Sequence, residues 1–228
     1  MNNPATSSHN TDGATGVLAA LRLDVSQATG GWGTVVGLSF ICGAFSAATV
    51  LAAPESSLPF GLFAFIAMPL TSLLSSMGQA DNGGMMRAVF PLSRRDVVYG
   101  RYLLAGVIAA IVLVVHVVVS ALIGYVMHTS PGQQYFSALL TTVMATMGIA
   151  AGLRCAVRLP QFVAALCALL TAVMMALLLP AVWSVAFGSY EICTTGHILG
   201  AAVALLATGI FVTACCLSTA LASEKTDI

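Results

Sequence analysis

The stretch DNGGMMRAVFPLSRRDVVYGRY, residues 81–102, is the one long polar interval in an otherwise apolar chain, and it carries Arg87, Arg94, Arg95 and Arg101. Ser93 followed three residues later by Asp96 is a capping-box variant, with Asp where Glu or Gln is usual. Pro91 turns the chain just before it, so a helix is expected to begin near Arg94. Ahead of the turn, Asp81 or Asn82 can cap a short helix over 83–90. On that helix Met85, Met86, Val89 and Phe90 share one face and Arg87 lies toward the other. Beyond Arg94 the chain stays apolar to about Met127. A helix of roughly 34 residues is about 50 Å long, against about 30 Å for a membrane core. The excess must project from the bilayer, and the arginine-rich end is the one that projects.

The rest of the chain supports a membrane setting. Hydrophobic residues make up 59% of it and charged residues 7%, where soluble domains average about 25% charged. So few charges cannot solvate a globular surface, and the expected fold is an all-α integral membrane protein. Acidic and basic residues balance at net charge zero, which gives no sign of a nucleic-acid partner. The cysteines (Cys42, Cys155, Cys167, Cys193, Cys215, Cys216) show no CxxC and no disulfide-like spacing. They are read as free thiols serving as small apolar residues.

Residues 1–13 are polar and expected to be disordered. Over 14–29, Val17, Leu18, Leu21 and Val25 recur at helical spacing beside Arg22 and Asp24, as in a short amphipathic helix lying on the membrane face. This leading segment is too poor in basic residues for a signal peptide, so the first apolar run is expected to stay uncleaved. Residues 14–221 read as one transmembrane domain, with spans near 33–53, 60–77, 102–127, 135–153, 160–180 and 197–219 and a tail over 222–228. Gly33 and Gly37, then Ser39, Gly43 and Ala47, recur every four residues in the first span, a spacing that lets another helix approach closely. Pro69 is expected to kink the second span. Pro160 suits the first turn of the fifth helix. Pro180 is expected to end that helix and open an aromatic interval, 181–196, that is either a loop or re-entrant. With six spans and both termini cytoplasmic, Arg22, Arg87, Arg94, Arg95, Arg101, Arg154, Arg158 and Lys225 all fall inside, and no Lys or Arg falls in an outer loop. That asymmetry obeys the positive-inside rule, and an odd number of spans would break it.

The chain offers little catalytic chemistry. It has no GxxxxGK[ST] phosphate loop, no HExxH, no GxSxG and no metal-ligand spacing of His or Cys. It is therefore read as a non-enzyme with no cofactor or metal of its own. Glu55 and Glu191 fall in outer loops and the other acids on the inner side, so none sits at mid-membrane. His116, in the third span, is the one ionisable side chain at depth. It is either a proton relay or substrate contact in a pathway, or a neutral imidazole hydrogen-bonded to a neighbouring helix. The lack of a carboxylate at that depth favours the second reading. His128 and His197 are read as boundary residues, and Trp183 and Tyr190 as members of an interfacial aromatic belt.

The run PLSRRDVVYGRYL closely resembles the pattern after the second span of small ABC-2 type permeases, the membrane subunits of bacterial ABC exporters. Pro91, Ser93, Arg94, Arg95, Asp96, Val97, Val98, Arg101 and Tyr102 match it position by position. Leu21, Arg22, Leu23 and Asp24 resemble the segment ahead of that family's first span. The scarcity of lysine is a departure that leaves the inner face less basic. The resemblance implies a permease in the bacterial cell membrane that pairs with a second permease copy, in a homodimer or heterodimer, and with separate subunits that bind ATP and Mg. The 81–101 region would then include the cytoplasmic coupling helix that docks on the ATPase. Its coupling residues would be Met85, Met86, Arg87, Val89, Phe90, Pro91, Ser93, Arg94, Arg95, Asp96 and Arg101. The helix at 14–29 would be the connecting helix, and 181–196 the short re-entrant helices between spans five and six. The arginines also suit anionic lipid headgroups. The expected cargo is amphipathic, drug-like or peptide-like, and the outward direction follows from the resemblance alone. Two other readings stand beside it. One is a membrane accessory or immunity protein with no transport cycle, and the other is an intramembrane enzyme built on His116 and Ser120.

Overall fold

The computed structural model describes residues 13–27, 31–52, 93–128, 130–189 and 192–224. They form six helices: α1 (Gly13–Gln27), α2 (Gly31–Ala52), α3 (Arg94–Met127), α4 (Pro131–Ala156), α5 (Gln161–Phe187) and α6 (Thr195–Glu224). No strand occurs among the described residues. The helices α3 to α6 are each long and apolar enough to cross a membrane, and α2 adds a fifth apolar helix of 22 residues. The expected second span at 60–77, the short helix at 83–90 and the leading residues 1–12 lie outside the described residues.

Helix α4 is the centre of the bundle and packs against α3, α5 and α6. Two apolar cores meet on it. At one end Ile149 and Leu153 of α4 join Leu104, Ile108 and Val112 of α3, Val35 and Cys42 of α2, and Leu21 and Val25 of α1. At the other end Phe136, Leu139 and Val143 pack on Trp183 of α5, with Ala201 and Ala204 of α6 beside them. Polar side chains within the helices are mostly satisfied locally. Ser39, Thr141, Thr142, Thr146, Thr171 and Thr208 each donate to a carbonyl one turn back in their own helix. Such bonds satisfy the hydroxyl's donor within its own helix.

The small-residue spacing of the first span resolves into one close contact. A Cβ built on Gly43 would lie 2.8 Å from the Val112 carbonyl oxygen and 2.8 Å from Val115 Cβ of α3, whereas Gly33 and Gly37 meet nothing within 4 Å. Gly43 is thus the point where α2 and α3 backbones approach.

Three expectations are corrected. Pro180 does not end the fifth helix. Helix α5 contains it and continues to Phe187, so the start of the 181–196 interval is regular helix rather than loop or separate re-entrant helix. A proline removes one helical N–H and costs about 3 kcal/mol. Here the turns beyond it are held by Trp183 and Phe187, whose rings lie 4.7 Å apart and pack on Phe136 and His197. The helix stops instead at Gly188, which takes a left-handed φ of 69° while its N–H donates to the Ser184 carbonyl. Second, the buried face of α1 is Gly16, Ala20, Leu21 and Val25, while Leu18 remains 50% exposed. Close packing on α3 selected the small residues of α1 rather than all its large ones. Third, the capping box at Ser93 is only half formed. Ser93 Oγ accepts from the Asp96 N–H at 3.1 Å, but the shorter Asp side chain makes no return bond to the Ser93 N–H. Its carboxylate lies against Gly16 of α1.

Candidate functional site

The head of α3, from Ser93 to Tyr102, makes contact with α1, α4 and α6. Helix formation there is dictated locally. Ser93 caps the first turn from an extended conformation, and Asp96 places a negative charge in that turn, where it complements the helix dipole. Four side chains or backbone positions then tie the head to its neighbours.

Arg94 Nη1 donates to the Ser223 carbonyl in the last turn of α6, at 3.1 Å. The last carbonyls of a helix lack intrahelical partners and carry the negative end of the dipole, so a guanidinium there both caps and neutralises. Two contacts with α1 follow. A Cβ on Gly16 would sit 2.7 Å from Asp96 Oδ2, and one on Gly100 would sit 3.0 Å from Ala20 Cβ and 3.2 Å from the Leu21 nitrogen. Each helix thus presents a glycine to the other. At the far end of the segment, the Tyr102 hydroxyl reaches the Ala150 carbonyl of α4 at 3.2 Å and Thr219 Oγ1 of α6 at 3.1 Å. Thr219 itself donates to the Cys215 carbonyl at 2.6 Å. Three helices therefore meet at one phenol.

Of the coupling residues expected from sequence, the structure places Ser93, Arg94, Asp96 and Arg101 on this junction or within it, and Arg95 on its exposed side. Met85, Met86, Arg87, Val89, Phe90 and Pro91 lie outside the described residues. His116 is not part of the junction, being about 20 Å further along α3. It is fully buried, with Nε2 3.1 Å from Ser137 Oγ of α4. Ser137 commits its own proton to the Gln134 carbonyl at 2.9 Å, so His116 Nε2–H is the donor between the helices. The ring thereby links α3 to α4. Ser137→Ala should lower thermal stability in detergent by about 0.5–1.5 kcal/mol, the range of interhelical bonds in membranes. A relay role would instead show as lost function at unchanged stability.

Gly16, Gly100 and the Tyr102–Ala150–Thr219 link were not among the expected site residues. The glycines had a signal, since each interrupts a helix otherwise made of better helix formers. Their pairing across two helices had none. Tyr102→Phe keeps the ring and removes the hydroxyl. It should cost about 1 kcal/mol of stability, measured as a lower melting temperature, with α6 more affected than α2 by hydrogen exchange.

The junction contains no nucleophile paired with a base. Among the described residues no three His, Cys, Asp or Glu side chains come together as metal ligands. What the arrangement offers is mechanical, because short contacts fix the head of α3 to α1, α4 and α6 at once. Comparison with known protein families matches residues 36–224 to the family described as ABC-2 family transporter protein. No curated protein and no solved structure matches the chain.

Proposed function

The chain belongs to the ABC-2 family of transporter proteins, and from that premise we propose that it is the permease subunit of an ABC exporter driven by a separate ATP-binding subunit. It is a multi-pass membrane protein of that family. In this reading it has six spans with both termini in the cytoplasm, works with a second permease copy, and moves an amphipathic, drug-like or peptide cargo outward. ATP and Mg are bound by the partner. The apolar face of Met85, Met86, Val89 and Phe90 docks on that partner, and Arg87, Arg94 and Arg95 supply charge at its edge.

The observation that supports this most is the head of α3. It is a capped helix start, in a 34-residue helix longer than a membrane core needs, and it is tied to α6 through Arg94 and to α1 through Gly16 and Gly100. A push delivered just before Ser93 would reach three helices. The apolar docking face counts separately, since topology sorting by arginines does not require it.

The test is capture. Tagged protein solubilised from its own host should bring down a Walker-A protein, and adding ATP with vanadate should stabilise the pair. Recovery of the chain alone under gentle solubilisation, with no ATPase at any stoichiometry, would favour the accessory or immunity role instead.

A further inference from the structure

At the end of the bundle away from the α3 head, α6 begins with a cap of unusual composition. Thr194 Oγ1 accepts from the His197 N–H at 3.3 Å. In return His197 Nδ1 accepts from the Thr194 N–H at 3.3 Å and from the Cys193 N–H at 3.2 Å. This is the reciprocal geometry of a capping box, with His in the position usually held by Glu or Gln. Two backbone N–H groups aimed at one ring nitrogen fix that nitrogen as a lone pair. The ring is therefore a neutral imidazole with its proton on Nε2.

An imidazole differs from Glu or Gln in one respect. Once protonated it has no acceptor left, because both nitrogens become donors. It would also place a positive charge at the positive end of the helix dipole. Among the described residues no carboxylate pairs with that charge. Trp183 and Phe187 of α5 face the ring, with centroids 6.0 and 4.9 Å away, and Phe136 of α4 lies behind Trp183. Cys193 and Thr194 face it from the turn ahead of α6, the Cys193 thiol being the titratable neighbour among the described residues. The ring makes no ion pair among them.

We propose that His197 is a proton-binding site that holds the start of α6 capped while neutral and releases the cap when protonated. In the topology proposed above this end lies outside the cell, so the proton comes from the external medium. Uncapping frees the Cys193 and Thr194 N–H groups. The inference does not depend on the chain being a permease.

Hydrogen exchange of the full chain in lipid nanodiscs tests it, with rates normalised to an unstructured peptide at each pH. Protection of the peptide covering residues 193–198 should fall roughly fivefold between about pH 8 and about pH 5, the size of a lost N-cap. His197→Gln restores the usual capping box and should stay protected across the range. His197→Ala should be unprotected throughout. A Trp32→Phe background leaves Trp183 as the sole tryptophan, and its emission should change with pH only where His197 is present. Flat protection in the unsubstituted chain overturns the proposal. So does a pH-dependent loss that persists in His197→Gln, which would assign the titration to another group.

Discussion

Replacing Gly43 by leucine is expected to abolish recovery of folded protein, while Gly37→Leu, six residues earlier on the same helix, is expected to be nearly silent. The contrast rests on what each new side chain would meet. At Gly43 the Cβ alone would stand 2.8 Å from a backbone oxygen of α3 and 2.8 Å from Val115 Cβ, and at Gly37 it would meet nothing within 4 Å. A carbonyl inside a helix cannot swing aside as a side chain can, so α2 must move away from α3 by a few ångströms along its length. That separation opens the core shared by Val35, Cys42, Leu104 and Ile108. In membranes, helix association relies on packing rather than on water exclusion, so no hydrophobic gain offsets the gap. Overpacking of this kind costs about 3 kcal/mol or more. Fluorescence-detected size exclusion and thermal unfolding of both variants would read it. Equal behaviour of the two would mean that Gly43 is not the contact.

The second large effect is expected at the docking face. A Met86→Glu, Phe90→Glu double variant should insert and fold normally but lose its ATPase partner. Both positions lie on the apolar face of the expected helix over 83–90, and a carboxylate pressed into an apolar groove is left without compensation. Central anchors of an interface are worth at least about 2 kcal/mol each, so the pair should weaken association by several hundredfold or more. Arg95→Ala, on the exposed side of the α3 head, should reduce association mainly at low salt, since it contributes long-range charge rather than packing. The readout is co-purification against salt concentration. Normal capture by the double variant would remove the docking face from the proposal while leaving family membership intact.

How much of this was legible in the sequence depends on how local the information is. The apolar runs that become α2 to α6 were readable because hydropathy is a property of each residue alone. The start of α3 was readable because a cap involves residues three apart. Gly43 was flagged only as one of several small residues, since spacing cannot say which of them meets a partner. The face of α1 was legible in part: Leu21 and Val25 are buried as expected, while Leu18 is not. Its large residues marked an apolar face, but the contact with α3 is made where Gly16 and Ala20 allow close approach. Asp96 stands where a capping box has Glu or Gln, and with one methylene fewer it makes no return bond. His197 reads as a boundary residue from its place near an interface, and the usual capping pattern, with Glu or Gln three residues after the cap, does not single out Thr194 with His197. Pro180 is the stronger local stop signal, but packing carries α5 through it to Gly188, a glycine set among aromatic residues.

Pro180 has a further consequence for how the bundle deforms. Proline has no N–H to offer the Ala176 carbonyl, so α5 contains a compliant joint one turn before Trp183, whereas α3 contains no proline in 34 residues. Under load the two helices should behave as a joint and a strut. A bend of about 20° at Pro180 would carry Phe187, about 10 Å further on, sideways by about 4 Å. Phe187 now rests on α6 at Gly200, where a Cβ would come within 2.7 Å of the ring. A displacement of that size would lift the ring off α6 while leaving α3 straight. The bundle would then yield first at the end away from the α3 head.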